Sequence, residues 1–442
     1  MASRNEIIER VRVAGVVGAG GGGFPTHIKL AAHADVLIAN GAECEVLCYS
    51  DKALMAAHTK EVLDGVLLAA EATGAGRVVL AVKEKHSEHI ASFKKYLRAS
   101  PYSSIELLPL ADVYPVGDEF VLTFEATGRV VPQGGIPIDV GVVVQNVGTL
   151  YNVAQAMKGM PVIERMVSVA GEVPRPSAFL APLGASFSEL LRAAGVTSLR
   201  RLSVLDGGVM MGKLIDPARS FVSKTTTAIS VLPDDSRAIV ERSSSLDRTF
   251  RIAKSVCDQC TFCTELCPRY MLGHTLRPHL MMRRIGFALS PSDLVLTEAH
   301  YCSECGICTL YACPLGISPS RVNTFLKSKF ARPITNSSKP EPRAEYWDRR
   351  LPSSRLKTRL GIGRYEAMPP AYKGRIAVER VNVLLRQHAG ENAAPVVSAG
   401  ARVSRGELLA DVKPGVLGAR IHAPIGGRVE QITSDAIVLT AE

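Results

Sequence analysis

The chain has 442 residues, enough for about three domains, and 47% of them are hydrophobic, so packed cores are expected. No apolar run approaches the roughly 20 residues of a membrane-spanning helix, and the charged and polar residues after Met1 form no signal peptide, so we expect a soluble cytoplasmic protein with reduced cysteines. The net charge of +10 resides between residues 321 and 375, and because no aromatic platform or reading helix accompanies it, we expect no nucleic-acid binding.

A glycine-rich stretch follows a predicted helix over residues 5–14. Its glycines lie between Gly18 and Gly23, and Pro25 follows shortly after them. The stretch contains the pattern G-x-G-x-x-G. Residues without a Cβ let a ligand approach the backbone, and consecutive N–H groups can hold a phosphate. Lys29 follows closely and could add a cation. The stretch is therefore either a ligand-binding loop or a flexible loop without a ligand.

Strands and helices alternate after this stretch, which predicts a parallel sheet. Apolar strands are expected over residues 36–40, 77–82 and 141–147. One helix is expected over residues 52–73, and a second after the strand at 77–82, extending to about residue 98. Polar loops occur at Asn40–Glu45, Tyr114–Glu119 and Asn146–Thr149. Ligands of such sheets bind beyond the carboxyl ends of strands, which places the first of these loops well for binding.

From about residue 161 the pattern changes to a smaller α+β unit that extends to about residue 240. Its expected strands cover residues 167–173, 204–211 and 228–232, and its helix covers 187–194. Residues 376–442 contain short strands separated by glycines and predict a small all-β module.

Eight of the ten cysteines form two runs within residues 246–332. The first run is Cys257, Cys260, Cys263 and Cys267, and the second is Cys302, Cys305, Cys308 and Cys313, each followed by proline. The first run has the ferredoxin pattern C-x2-C-x2-C-x3-C-P, and the second has one extra residue before its last cysteine. Disulfides do not suit a cytoplasmic chain, and zinc sites use pairs of cysteines, so we expect two 4Fe–4S clusters.

The last cysteine of each ferredoxin run ligates the other cluster. We therefore assign the first cluster to Cys257, Cys260, Cys263 and Cys313. The second cluster then has the ligands Cys302, Cys305, Cys308 and Cys267.

The excess charge lies in a proline-rich stretch that we assign to residues 333–375 as a basic linker. Between residues 321 and 375 there are fourteen basic residues and four acidic ones. Such a stretch is first a solvated linker or a segment that wraps around the domains. A docking surface for an acidic partner is the alternative.

Together, Gly18–Lys29 and Asn40–Glu45 resemble the flavin-binding segments of the RnfC-like flavin and iron–sulfur family, and residues 114–119 and 146–149 are similar to two further segments of that site. The flavoprotein subunit of respiratory NADH dehydrogenase is a more distant relative. In domain order, the chain most resembles the cobalamin reductases of bacterial microcompartments. The resemblance implies a multidomain α/β protein with four domains: a Rossmann-like FMN domain (1–160), an SLBB β-grasp domain (161–240), a two-cluster ferredoxin-like helical domain (246–332) and a barrel-sandwich hybrid (376–442).

The resemblance also implies which residues bind FMN and NADH. The glycines approach the flavin and its phosphate beside Lys29, three loops line its remaining sides, and Phe24, Glu45 and Glu119 lie near the nicotinamide nucleotide. The implied cofactor-binding residues are Gly20, Gly21, Gly22, Gly23, Phe24, Lys29, Asn40, Glu43, Cys44, Glu45, Gly117, Glu119, Asn146 and Thr149. No side chain is expected to act as a catalytic acid or base, because the cofactors carry the chemistry.

The expected function is therefore electron transfer from NADH through FMN and two 4Fe–4S clusters to an acceptor, which by resemblance is cobalamin. The implied partners are cobalamin or a cobalamin adenosyltransferase, with a microcompartment shell protein as a further candidate, and the implied location is the cytoplasm or the inside of a microcompartment. The alternatives are an electron relay without a nucleotide site, which would serve another redox partner, and a scaffold protein with zinc in its cysteine runs.

Overall fold

The structure is a computed structural model that describes residues 2–285, 294–331 and 339–442. Residues 286–293 of the expected cluster domain, and Arg332 with residues 333–338 at the start of the expected linker, lie outside the described residues. Among the helices within these ranges, none is long and apolar enough to cross a membrane.

The first unit is built around a sheet of four parallel strands in the order β3-β2-β1-β5, as the alternating pattern predicted. Its strands are rich in valine, isoleucine and leucine and are largely buried, which is typical of a parallel sheet covered by helices. The strands of the sheet are β1 (Val36–Asn40), β2 (Arg77–Lys83), β3 (Ile105–Leu110) and β5 (Val142–Asn146). The short strand β4 (Val113–Tyr114) lies outside this sheet. The helices are α1 (Arg4–Val13), α2 (Thr26–Ala31), α3 (Ser50–Ala57), α4 (Thr59–Thr73), α5 (Ser87–Leu97), α6 (Glu119–Thr127) and α7 (Val147–Met157).

The single helix expected over residues 52–73 is in fact two helices. His58 leaves the helical conformation between α3 and α4, and its ring packs on Tyr151 with 5.0 Å between ring centroids. Helix α4 then packs so closely on α7 that a Cβ on Gly65 would lie 1.9 Å from the carbonyl oxygen of Leu150, and glycine is therefore required at this position. This packing places the start of α7 at the carboxyl edge of the sheet.

The second unit is built around a mixed sheet of six strands in the order β12-β7-β6-β10-β8-β9, of which β12 (Ala371–Arg375) comes from the later basic segment. Helix α8 begins with a capping box between Ser186 and Glu189. The strand expected over residues 204–211 ends at Asp206, because the chain turns at Gly207 toward the loop after β1. The elements are β6 (Glu164–Gly171), β7 (Ser177–Pro182), α8 (Phe187–Ala193), β8 (Leu202–Asp206), β9 (Lys213–Ile215), β10 (Ala228–Pro233) and α9 (Arg237–Ser243).

The cysteine-rich unit is helical. Its helices are α10 (Leu246–Val256), α11 (Phe262–Glu265), α12 (Pro268–Met271), α13 (Pro278–Arg284), α14 (Leu294–Thr297) and α15 (Pro319–Lys329). Cys308 lies in a π-helical turn, Ile307–Ala312, that ends directly before Cys313, whereas the first run has the short helix α11 at the equivalent place. A π-turn accommodates one extra residue, which accounts for the longer spacing before Cys313.

The basic segment is a wrapping segment over the residues described from 339 onward, and not a solvated linker. It contains β11 (Leu351–Pro352), α16 (Ser353–Leu360) and β12 (Ala371–Arg375). Strand β11 pairs with β4 of the first unit, and β12 pairs with β7 of the second. Tyr346 and Leu356 are buried, so the segment contributes to the core between the units.

The C-terminal unit is all-β, as predicted. It consists of two small sheets, with the strand orders β13-β19-β18-β15 and β14-β16-β17. The strands are β13 (Arg380–Leu384), β14 (Ala394–Pro395), β15 (Arg402–Val403), β16 (Leu408–Asp411), β17 (Ile421–His422), β18 (Gly427–Ile432) and β19 (Ala436–Ala441).

A buried lysine joins three of the units. The Lys224 side chain, in the second unit, is 1% exposed, and its Nζ donates to the carbonyl oxygens of Gly15 (2.7 Å) in the first unit and of Arg420 in the last. The Lys224 N–H donates to Gln387 Oε1 (3.0 Å). Burial lowers the pKa of Lys224 to about 7.

This lysine is expected to make stability pH-dependent. An unfolded lysine keeps its proton up to about pH 10. Between about pH 7 and pH 10 the unfolded chain therefore binds more protons than the folded one, and the free energy of unfolding rises with pH. We expect Lys224→Met to remove this rise and exposed Lys213→Met to retain it in denaturant unfolding. A rise that survives in Lys224→Met would contradict the assignment.

Candidate functional site

The glycine loop lies against the carboxyl edge of the parallel sheet. On the side that faces the protein interior, its backbone is held by two hydrogen bonds. The Ala19 N–H donates to Thr149 Oγ1 (2.8 Å), and buried Arg165 donates to the Ala19 carbonyl oxygen (2.5 Å). A Cβ on Gly20 would lie 3.5 Å from Asn146 Cβ. Above the loop there is open space, because a Cβ on Gly21 or Gly22 would meet nothing within 4 Å. The loop is a rigid cradle whose upper side is free for a ligand.

Two further loops meet the glycine loop at this edge. Asn40 Nδ2 donates to the carbonyl oxygen of Gly117 (2.9 Å), and Lys29 Nζ donates to Glu119 Oε1 (2.8 Å). Gly117 permits this approach, since a Cβ there would lie 2.5 Å from the carbonyl oxygen of Ala42. We call this convergence of residues 18–29, 40–49, 114–119 and 146–149 the binding edge.

Three of the sequence-predicted residues face other surroundings. The carbonyl oxygen of Gly23 accepts from the Ala389 N–H (2.9 Å) of the C-terminal unit. Thr149 is fully buried beneath the loop, and Phe24 is 40% exposed. Gly23 and Thr149 therefore support the cradle, while Phe24 is accessible from solvent.

Buried carboxyl groups lie behind the binding edge. Glu45 Oε1 accepts from the Met210 N–H (2.5 Å) in the loop after β8, and burial raises the Glu45 pKa to about 7. Burial also raises the pKa of Glu43, which accepts from the Cys48 thiol (3.1 Å). Asp51, which sequence reasoning missed, accepts from Asn146 Nδ2 (2.6 Å), and burial followed by the Glu43 charge raises its pKa. A polar residue at the start of α3, one turn after the binding loop, was the only signal for it.

The thiol of Cys44 is a packing group at this edge. Burial raises its pKa to about 12, so it is protonated at neutral pH. It lies against Gly117, where a Cβ would be 3.2 Å from its Sγ. A neutral thiol here helps to hold the loops together.

Four cysteines from both runs surround one cavity. Cys257, Cys260, Cys263 and Cys313 line it together with His279. This is the ligand set expected for the first cluster, and four thiols around one cavity fit a 4Fe–4S cluster. In the described ranges no three His, Cys, Asp or Glu side chains are arranged to hold a single metal ion.

The other four cysteines are also neighbours. Burial raises the pKa of Cys305, and the nearby Cys267 and Cys302 thiols raise it further. Cys308 is buried, and burial followed by the nearby Cys302, Cys305, Cys263 and Cys267 thiols raises its pKa. The last cysteine of the first run thus lies among the first three of the second, which fits the second expected cluster.

The binding edge is in direct contact with the chain around the second expected cluster, at Cys305 of the second run and just after Cys267 of the first. Tyr114 Oη donates to the carbonyl oxygen of Cys305 (2.7 Å), and Arg269 pairs with Asp118 at 2.6 Å and 3.0 Å. Sequence reasoning missed both links. The available signals were Arg269 directly after Cys267-Pro268 and Asp118 as the N-cap of α6.

Three family models match the chain, in an order that agrees with these units. They describe a Nuo51 FMN-binding domain over residues 11–155, a 4Fe-4S dicluster domain over 256–318 and an RnfC barrel sandwich hybrid domain over 375–442. The fold and the site therefore define a multidomain α/β oxidoreductase that transfers electrons and binds FMN and two 4Fe–4S clusters.

Two relatives match over nearly their whole length. The chain is 42% identical to the cobalamin reductase PduS of Citrobacter freundii, over 98% of this chain and 96% of that protein. It is 41% identical to PduS of Salmonella typhimurium, over 99% and 97%. The chain belongs to the PduS cobalamin reductase family, which confirms the resemblance seen in the sequence.

More distant similarity extends to two other groups. A component of the ion-translocating oxidoreductase complex of Erwinia tasmaniensis is 36% identical over 62% of this chain and 33% of that protein. Crystal structures of an NAD+-reducing NiFe hydrogenase in the H2-reduced and air-oxidized states have TM-scores of 0.49 and 0.47. Their identities are 22% and 20%, over 75% and 83% of this chain and 64% and 68% of those chains.

Proposed function

We propose that the protein takes electrons from NADH and passes them to cobalamin. The observation that carries this proposal is the direct contact between the binding edge and the chain around the second expected cluster, together with relatives that are named cobalamin reductases. FMN accepts two electrons together and releases them singly, and the clusters carry single electrons. The chain's own residues hold these groups side by side.

The glycine cradle is proposed to hold FMN. Gly20, Gly21 and Gly22 let the cofactor approach the backbone, and the open space above the last two supports this role. Lys29 would provide a cation for the phosphate. The remaining flavin contacts are assigned to Gly23, Asn40, Glu43, Cys44, Gly117, Glu119, Asn146 and Thr149, of which Gly23 and Thr149 act by supporting the loop.

The nicotinamide nucleotide is assigned to the solvent side of the binding edge. Phe24 is 40% exposed there and offers an aromatic face. The Glu119 side chain is 46% exposed and balances Lys29. Glu45 belongs to the same assignment, although its carboxyl group is directed to the backbone of Met210.

Gly22→Ala tests the cradle without disturbing the fold. The new methyl group meets no protein atom within 4 Å, so thermal stability of the flavin-free chain should stay unchanged. FMN affinity should fall about tenfold or more, since a methyl group forced into a filled site costs about 1–3 kcal/mol. Gly76→Ala, in equally open space between α4 and β2, is the matched control. Wild-type FMN affinity in Gly22→Ala, measured by flavin fluorescence titration, would refute the assignment.

The finer architecture follows the same relationship. We assign the first 160 residues to a Rossmann-like FMN domain and residues 161–240 to an SLBB β-grasp domain, which the mixed sheet with α8 supports. Residues 246–332 form the ferredoxin-type domain and 376–442 the barrel-sandwich hybrid, with 333–375 between them. A cobalamin adenosyltransferase and a microcompartment shell protein are the proposed protein partners, and a microcompartment is the proposed location.

The function is tested by anaerobic reaction of the reconstituted protein with NADH, with cob(III)alamin as the acceptor. NADH should bleach the flavin absorbance, and cob(III)alamin should restore it as it is reduced. A flavin that stays oxidised with NADH would overturn the donor and favour the electron-relay alternative. A reduced protein that leaves cob(III)alamin unchanged would overturn the acceptor.

A further inference from the structure

The two cysteine clusters have different relationships to the binding edge. Tyr114 is 2% exposed and opens the loop that continues to Gly117 and Glu119. Its hydroxyl group donates to the backbone of Cys305, a ligand of the second cluster (2.7 Å). The side chain that begins this flavin-site loop thus ends on the backbone of an expected ligand of the second cluster.

An ion pair makes a second link to the same cluster. Arg269 follows the ligand Cys267 by two residues and donates to both carboxylate oxygens of Asp118, at 2.6 Å and 3.0 Å. The two side chains are only 9% and 14% exposed, and the guanidinium group lies 3.7 Å from the centroid of the Phe120 ring. A bidentate pair of this kind fixes both distance and orientation.

A third link runs through the loop after β8. Glu45, in the loop after β1, accepts from the Met210 N–H (2.5 Å). The Met210 carbonyl oxygen then lies 2.9 Å from the position of a Cβ on Gly306, which separates the ligands Cys305 and Cys308. Val46, Tyr114, Cys305 and Ile307 accordingly belong to one continuous hydrophobic core.

The cavity of the first cluster is lined by the cysteine-rich unit alone. All residues that line its cavity come from positions 257–319. Its ligands Cys257 and Cys260 are partly exposed, and the neighbouring Phe262 and Leu315 are 49% and 42% exposed. Helix α11, which carries Cys263, packs on the π-turn that carries Cys308, so the two clusters adjoin each other.

We propose that the second cluster is the inner one, which takes electrons from the flavin, and that the first cluster is the outer one, which delivers them to the acceptor. Tyr114 and Arg269 are positioning residues for the inner cluster. The clusters would each carry one electron at a time, so the flavin would give up its electrons singly to the inner cluster, which would pass them to the outer one, with Tyr114 and Arg269 holding the inner cluster near the flavin. This order rests on the proposed function, in which NADH supplies the electrons.

Paired cluster deletions test the order. Cys257→Ala and Cys302→Ala remove the first cysteine of each run, and both residues are partly exposed. In the full chain of each variant, loaded with FMN and the remaining cluster, the flavin is reduced by light with EDTA as the electron donor, and the remaining cluster is followed by freeze-quench electron paramagnetic resonance. In Cys257→Ala the inner cluster should be reduced at the wild-type rate. In Cys302→Ala reduction of the outer cluster should slow by at least an order of magnitude, although dithionite still reduces it.

The reverse asymmetry, or equally fast reduction in both variants, would overturn the order. Because light replaces NADH, the order and the donor are tested separately. A flavin that is photoreduced but inert to NADH would refute the donor alone.

A conservative pair of variants serves if a cluster deletion does not assemble. Tyr114→Phe removes the hydroxyl group at Cys305, and Tyr346→Phe removes a buried hydroxyl group that donates to Glu125 (3.1 Å) in the same cavity between the units. Hydrogen bonds to the cluster sulfurs help to set its potential, and the Tyr114 hydroxyl group holds the backbone that carries one of these sulfurs. Tyr114→Phe should shift the reduction potential of the inner cluster downward and leave the outer one unchanged, and Tyr346→Phe should shift neither. A shift confined to the outer cluster, or no shift in Tyr114→Phe, would contradict the proposed role of Tyr114.

Discussion

Asp118→Ala is expected to lower the free energy of unfolding by about 3–5 kcal/mol, because it leaves the Arg269 charge buried without its partner. Asp118 also caps α6, where its carboxylate accepts from the Phe120 N–H (3.0 Å) and the Val121 N–H (3.2 Å). Loss of a cap contributes about 1 kcal/mol to such changes. Denaturant unfolding of the holoprotein under anaerobic conditions measures the difference.

Asp35→Ala is the matched control for this variant. Asp35 pairs with Arg129 at 2.9 Å in the same unit, but both side chains are well exposed, at 64% and 41%. Exposed pairs contribute about 0–1 kcal/mol, so the control should lose little stability. Equal losses in the two variants would show that the Asp118–Arg269 pair does not join the units as described.

Removal of a last cysteine is expected to abolish the cluster of the other run. Cys313→Ala should lose the first cluster and keep the second, and Cys267→Ala should do the opposite. The reason is that Cys313 lines the cavity of Cys257, Cys260 and Cys263, whereas Cys267 lies beside Cys302 and Cys305. Each variant should retain about half of the iron and acid-labile sulfide.

Electron paramagnetic resonance of the dithionite-reduced variants identifies which cluster persists. Cys257→Ala should give the same residual signal as Cys313→Ala. Cys48→Ala, a buried cysteine outside both runs, should keep the full iron content. A residual signal in Cys313→Ala that matches the one in Cys302→Ala would contradict the crossed ligation.

Local sequence patterns were sufficient to predict much of this structure. The cysteine spacing and the alternating strands of the first unit were sufficient to predict the clusters and the parallel sheet, because both depend on residues near one another in the chain. The glycine stretch was ambiguous alone and gained its meaning from the loops beyond β1 and β5. Family resemblance supplied the identities of the flavin and of its nicotinamide donor.

Long-range contacts could not be predicted in this way. The pairs Asp118–Arg269 and Tyr114–Cys305 join residues 151 and 191 positions apart, and nothing local to either residue specifies its partner. The basic segment was ambiguous for the same reason, since its buried Leu356 and Tyr346 are outnumbered by charges in the sequence. Nothing local to Lys224 in the sequence indicates that three units enclose it.

The central claim is that one chain joins a two-electron flavin to two one-electron clusters. An anaerobic titration of the reconstituted protein with NADH, followed by absorbance and electron paramagnetic resonance, tests it most directly. FMN takes two electrons and each cluster takes one, so the account expects full reduction at about two NADH per chain, with both cluster signals present. Reduction that ends at about one NADH with no cluster signal, or no reduction at all, would contradict it.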